Sequence, residues 1–219
     1  MEGLHMDKLR IYKEKIKARA WLFCLVPSVL LAAVITVGAY RQADAAEQAA
    51  LQTHLAQQVV RFHVLANSDS DDDQQLKLQV RDAVLDYMKE KMPESASAEE
   101  TENWLRRHID GIEEVSRRIV SDAGADYPVN AAVTTCWFPE KTYGDVTFPA
   151  GNYEALRVEI GAAKGHNWWC VLYPALCFMD TTNAVVPDEG KQKLKNVLTE
   201  EEYSRITADS HFKISWFFW

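Results

Sequence analysis

The chain has 219 residues and is 47% hydrophobic, 11% aromatic and 26% charged, which suits one sizeable core and excludes a disordered chain. Only 9 glycines and 7 prolines exclude collagen-like and low-complexity architectures, and the absence of an internal repeat excludes a solenoid. The net charge is -8, but residues 1–20 hold six basic and three acidic residues, so the remainder carries -11. So acidic a body lacks the clustered cations that a phosphate backbone needs, and nucleic acid is not an expected partner.

Residues 1–20 form a basic arm, and Trp21–Tyr40 (WLFCLVPSVLLAAVITVGAY) is a run without charge. About 20 apolar residues are needed to cross a hydrocarbon core of about 30 Å. Pro27 lies near the start of the run, and Trp21 and Tyr40 bracket it as interfacial aromatics do. The run has no polar face, which favours a membrane segment over a core helix. Its basic flank predicts a cytoplasmic N-terminus and an exported body after residue 40. Ala43-Asp44-Ala45 offers a small-x-small cleavage site, so a cleaved signal peptide stands beside the uncleaved anchor. Cys24 lies inside the run. Cys136, Cys170 and Cys177 remain for the exported part, where one disulfide and one free thiol is the simplest arrangement.

Residues 41–58, rich in Ala and Gln, read as a helical spacer, and residues 59–219 as one exported domain. Val59–Ala66 alternates and reads as a strand, followed by the turn and cap formers Asn67–Asp71. Leu76, Val80, Val84 and Met88 share one face of a helix that Pro93 ends. A second helix is predicted over Ala98–Val120, with Gly124 after its end. The period then changes from 3.6 to 2. Strands follow from Val129 to Trp137, at Val146–Phe148, over Tyr153–Ile160 and over Asn167–Tyr173, the last placed centrally for its lack of polar residues. Glu189–Ile206 reads as a weaker helix, and Phe212, Ile214, Trp216 and Phe218 alternate in a last strand. The expected fold is α+β: a membrane segment, then a domain with a mainly antiparallel sheet and two or three helices.

Chemistry is thin. Asp69, Asp71 and Asp73 have calcium-loop spacing, but Gln74 and Val80 stand where such a loop needs Gly and Glu, so the carboxylates are better read as helix caps. His166, Cys170 and Cys177 do not have zinc-knuckle spacing, and a strand would hold His166 and Cys170 about 13 Å apart. Pairing of Cys170 with Cys177 or with Cys136, or plain burial, fits better. No nucleophile elbow, zinc-protease motif or phosphate loop occurs, so no cofactor, metal or small-molecule substrate is expected. His63 reads as a half-buried strand residue. Trp168 and Trp169 face opposite sides of a strand, both in the core or one in a binding patch.

Two blocks stand out together, RFHVLANSDSDDDQQLKLQVRDAVL (Arg61–Leu85) and FPAGNYEALRVEIGAAKGHNWWCVLYPALCF (Phe148–Phe178). They resemble the stage II sporulation protein R family over residues 59–178, in order and spacing. The resemblance implies a non-enzymatic signal of endospore formation, exported from the forespore into the intermembrane space. Its implied partner is a membrane-embedded aspartic-type protease of the mother cell, which then processes the precursor of sporulation sigma factor E. The alternatives are an extracytoplasmic cell-wall or thiol-dependent hydrolase and a membrane-tethered structural protein. The family brings no contact residues with it. Asn67, Ser68, Asp69, His166, Asn167, Trp168 and Trp169 are the candidate partner-binding residues, because packing alone does not account for polar loop residues inside the most distinctive blocks. The terminal Trp216-Phe-Phe-Trp219 can pair in the sheet, touch a membrane or bind the partner.

Overall fold

The computed structural model describes residues 3–94, 97–177 and 188–207. The chain divides into two compact units, with the boundary after Ala50. The first is built on helix α1 (Gly3–Gln58), which runs through Pro27 without ending. The stretch Leu25–Gln58 is long and apolar enough to cross a membrane, and none of its most apolar window is buried. Val29, Leu31, Val34 and Ile35 are each more than 60% exposed. Apolar side chains presented on more than one side of a helix suit a lipid surrounding and not a soluble core.

The second unit begins with the last two turns of α1. It continues with β1 (Val60–Leu65), α2 (Asp71–Lys91), α3 (Ala98–Arg107), α4 (Ile109–Asp122) and β2 (Val129–Phe138). The hairpin β3 (Lys141–Tyr143) and β4 (Val146–Phe148), the strands β5 (Gly151–Ile160) and β6 (Asn167–Tyr173), and the helices α5 (Asp188–Val197) and α6 (Glu200–Thr207) complete it. The residues expected to form a last strand, with the terminal Trp216–Trp219, lie outside the described residues.

The sheet corrects the expected fold. Its order is β2-β5-β1-β6, and β1 runs parallel to β5 while β2–β5 and β1–β6 are antiparallel. The sheet is therefore mixed. The chain leaves β1 through three helices, lays down β2 and the hairpin, and returns through β5 in the direction of β1. Five described helices follow β1, more than the two or three expected. One of the extra helices arises at His108, where the predicted helix Ala98–Val120 breaks. The His108 ring stacks on Trp104 at 4.1 Å between centroids, its Nδ1 donates to the Trp104 carbonyl at 2.8 Å, and its backbone turns to φ -114°, ψ 14°. A side chain bonded to its own preceding turn competes with helix continuation. Strand β6 lies at the sheet's edge and not at its centre. It lacks polar residues because both its faces are covered: Leu172 joins one core and Val171 the other.

Two cores flank the sheet. Phe62, Val64, Leu156, Val158 and Leu172 pack under Leu76, Val80 and Val84 of α2, Leu105 of α3 and Ile112 of α4. On the other face, Leu55 of α1, Phe138, Phe148, Tyr153 and Val171 pack with Leu194 of α5 and Ile206 of α6. Helix α2 starts at Ser70, whose side chain accepts from Asp73 N–H, and its first turn is acidic as the helix dipole favours.

The central strand β1 is buried along its whole length, yet it carries Arg61 and His63. Arg61 is fully buried, with its guanidinium 4.2 Å from the Phe138 ring centre, 4.9 Å from Tyr153, 5.6 Å from Phe148 and 5.9 Å from Tyr143. Nη2 donates to the Tyr143 hydroxyl at 3.0 Å, while Nε and Nη1 have no hydrogen-bond partner. The charge is held by ring faces instead of a carboxylate. Removing the side chain opens a cavity among four rings, so Arg61→Ala is expected to cost about 3 kcal/mol or more. Arg61→Met keeps most of the volume without the charge and is expected within about 1 kcal/mol of wild type. Urea unfolding of the full chain in detergent measures both, and equal losses would show that the charge itself is required.

Candidate functional site

Two places on the sheet bring polar side chains together. The first is the end of the sheet where β1 and β5 finish and β6 begins. Residues Asn67–Ser70 leave β1 there, and Gly161–His166 join β5 to β6. The two segments are bonded to each other. Lys164 N–H donates to the Asn67 carbonyl at 3.2 Å and Gly165 N–H to the Ala66 carbonyl at 2.9 Å. Asn67 Oδ1 accepts from Ala162 N–H at 2.9 Å, and its Nδ2 donates to Asp73 Oδ2 at 2.8 Å. Ser68 Oγ donates to the same Asp73 oxygen at 2.5 Å. The Ser68 and Asn67 side chains hold the Asp73 carboxyl below the usual carboxylate range.

Asp69 reaches across to His166. Its Oδ1 accepts from His166 N–H at 2.6 Å and lies 2.5 Å from the ring Nδ1. The backbone N–H first, and then the ring, hold the Asp69 carboxyl below its ordinary range. The His166 side chain is 81% exposed and that of Asp69 54%, so the pair stands at the surface. Beneath it, Lys77 Nζ donates to the His166 carbonyl at 3.0 Å and to Gln74 Oε1 at 2.5 Å. Burial pushes the Lys77 ammonium below its ordinary range.

The structure thus gathers Asn67, Ser68, Asp69, His166 and Asn167 at one end of the sheet, but in two roles. Asn67 and Ser68 spend their polar groups on the loop pair itself, and Asp69 and His166 stay accessible. Trp168 and Trp169 turn to opposite faces of β6. Trp168 meets Phe62 edge-on at 5.5 Å, with the Arg81 guanidinium 5.1 Å from its centre. Trp169 stacks on His63 at 5.0 Å. Both are only partly buried. Asp69 and Asp73 are both taken up by hydrogen bonds, and among the described residues no cluster of three or more His, Cys, Asp or Glu is placed to hold a metal. Cys170 is joined to Cys177, and Cys136 is a free thiol.

The second place was not legible in the sequence. Cys136 Sγ lies 3.4 Å from His63 Nε2, although the two are 73 residues apart. Residue types alone would suggest a thiol nucleophile and its base. That chemistry needs a lowered thiol pKa and an imidazole that holds its proton. Here the directions are reversed. Burial pushes the Cys136 thiol up. Burial, then the Arg157 and Arg61 cations, push His63 down from 6.5 to about 4. The pair is neutral, and Nδ1 of His63 has no hydrogen-bond partner.

These features define a class: an α+β domain carried behind an apolar helix of membrane-spanning length. The family model for stage II sporulation protein R matches residues 56–183. The chain is also 34% identical over 189 residues to the stage II sporulation protein R of Bacillus subtilis (strain 168), covering 85% of this chain and 84% of that protein. The chain belongs to the stage II sporulation protein R family. No solved structure matches it.

Two outcomes follow from this geometry. A Cβ at Gly165 would overlap the Ser68 carbonyl, a main-chain atom that cannot swing aside. Gly165→Ala is therefore expected to cost about 1–3 kcal/mol in urea unfolding by separating the two loops. His63 supplies a pH dependence. The unfolded chain takes up its proton near pH 6.5, while the native state refuses it down to about pH 4. Stability from neutral His63 is complete above pH 6.5 and is lost as the pH falls towards 4, by up to about 3 kcal/mol. Unfolding midpoints at pH 7, 5.5 and 4.5 should fall more steeply for wild type than for His63→Gln, and parallel slopes would remove His63 as the source.

Proposed function

We propose that this protein is an exported signal of endospore formation that activates a membrane-embedded aspartic-type protease of the mother cell. That protease then removes the pro-sequence of the sporulation sigma factor E precursor. The observation that carries the reading is the family match over residues 56–183, supported by a relative of nearly the same length. The exposed apolar helix supports an anchor or signal segment, which an exported body needs. The neutral Cys136–His63 pair agrees with a ligand more than with a hydrolase. The hydrolase reading rests on one contact, Cys136 to His63, and the shifts of both groups oppose it.

Within this reading the contact surface is the loop pair at the sheet's end. Asp69 and His166 face the protease, flanked by Asn167, Trp168 and Trp169, while Asn67 and Ser68 hold the loops in place. Rigid polar loops on a packed sheet are a common way to present a contact surface.

The test is a reconstitution in a non-sporulating host. The protein, directed across the membrane, is co-expressed with the protease and the sigma factor precursor, and precursor size is followed. Cleavage is expected only when the protein is exported. Asp69→Asn, which keeps an oxygen for the His166 N–H, and His166→Ala are each expected to lower cleavage by about tenfold at unchanged stability, as central contact residues do. Cys136→Ser is expected to keep activity. Loss of cleavage in Cys136→Ser with an intact fold would favour the hydrolase reading instead.

A further inference from the structure

Strand β2 forms one edge of the sheet, and only half of its outer side is protected. Ala131 N–H donates to Glu113 Oε1 at 2.9 Å, and the Val133 carbonyl accepts from Arg106 Nη1 at 3.1 Å. Alternate residues of an antiparallel strand turn their main-chain groups to the same side. Thr135 and Trp137 therefore turn theirs outward, as Ala131 and Val133 do. No hydrogen bond among the described residues takes those outward groups. Thr135 is exposed and Trp137 is 60% exposed, the one large apolar side chain of β2 left in water. Sheets commonly blunt such edges, and this chain does so two residues earlier and then stops.

We propose that the Thr135–Trp137 edge joins two copies of this chain, β2 against β2, antiparallel about a two-fold axis at Cys136. Symmetry fits the residues at every step. With Cys136 opposite itself, Thr135 of each copy falls opposite Trp137 of the other. The outward N–H and C=O groups of both residues then pair reciprocally, as an isologous contact requires. Each exposed indole lies beside a β-branched threonine, a favourable cross-strand pair. The same register sets Pro139 of one copy opposite Val133 of the other. Proline has no N–H to give and the Val133 carbonyl is already taken by Arg106, so the one bond left at each end is from the outward Val133 N–H to the Pro139 carbonyl, and the ladder stops there. Glu140 and Lys141, which follow Pro139, are carried to the stretch of edge where Arg106 and Glu113 stand, already paired with Glu102, Glu154 and Arg117, so each end of the ladder gathers charges of both signs. The ladder is short, so association is weak and depends on concentration. The proposal does not depend on which protein the chain activates.

Cys136 makes this testable. A directly opposed, non-hydrogen-bonded pair holds its Cα atoms about 4.5 Å apart, inside the range a disulfide bridges. The full chain bearing Cys24→Ser, so that Cys136 is the free thiol, is reconstituted in vesicles and treated with copper phenanthroline. Two Cys136 thiols then lose two protons and pass two electrons to copper as the S–S bond forms. A covalent dimer is expected. The control carries Cys136→Ser with Asn130→Cys, a more exposed position on the same strand that does not meet itself in this register. It is expected to cross-link about tenfold more slowly or not at all, because its copies are out of disulfide reach. Thr135→Pro removes the outward N–H and leaves the β2–β5 ladder intact, and is expected to abolish the dimer. Should that variant fail to fold by thermal unfolding, Trp137→Ser gives the same readout. Faster cross-linking at Asn130→Cys than at Cys136, or a dimer unchanged in a folded edge variant, would overturn the proposal.

Discussion

The second unit is organised around one buried cation. The Arg61 guanidinium takes its ring partners from β2 (Phe138), β3 (Tyr143), β4 (Phe148) and β5 (Tyr153). A charge in the interior costs several kcal/mol of hydration unless its surroundings answer it. Here the answer is a set of ring faces and one hydroxyl, and among the described residues no carboxylate forms an ion pair with it. The requirement ties the small β3–β4 hairpin to the main sheet, because two of the four rings belong to it. It also sets the chemistry of the neighbourhood. Burial raises the Tyr143 hydroxyl and lifts Tyr153 to about 12, against the opposing pull of Arg61. The same cation, with Arg157, helps keep His63 neutral. The arrangement that builds this face of the sheet therefore disarms the one Cys–His contact found in it.

Much of the architecture was legible in the sequence, and what escaped did so for identifiable reasons. The helix from Asp71 to Pro93 was clear because an acidic cap, an apolar stripe and a proline stop agree. The strands over Val129–Trp137 and Tyr153–Ile160 were clear because their period is 2. The mixed sheet was not, because parallel pairing of β1 with β5 joins residues more than 90 positions apart and leaves no local mark. Residues Arg61 and His63 misled in the same way. They make β1 look like a strand with one polar face, when that face is buried and answered by aromatics distant in sequence. The break at His108 was hidden because histidine also fits the apolar stripe, and only the stacked Trp104 explains why the helix bends there.

The candidate site shows a similar division. The loop residues Asn67–Asp69 and Gly161–His166 stand in the two most distinctive blocks of sequence, and the fold brings those blocks into contact. Part of their distinctiveness is thereby structural. Asn67 bridges Ala162 and Asp73, and Gly165 must lack a side chain to pass the Ser68 carbonyl. What structure leaves exposed is the Asp69–His166 pair, although Asp69 also ties the loops through the His166 N–H. No sequence spacing could have separated these two roles, because the partners lie some 95 residues apart and only the register of β1 with β6 aligns them.

The two edges of the sheet are handled differently, and the contrast bears on which surfaces are free. At β6 the chain folds its own following residues back on the strand. Leu176 and Cys177 both donate their N–H groups to the Val171 carbonyl, and the Cys170–Cys177 bond holds that return in place. At β2 the protection comes from side chains of α3 and α4 and reaches no farther than Val133. A disulfide spent on one edge and an open stretch left on the other are not explained by solubility alone, since the same helices could have carried one more capping side chain. Because β2 bonds to β5, and β5 to the caged central strand, the open stretch is held straight by the most deeply packed part of the domain. An edge so supported keeps its shape without a partner, which is the preorganisation that pairing with another strand requires.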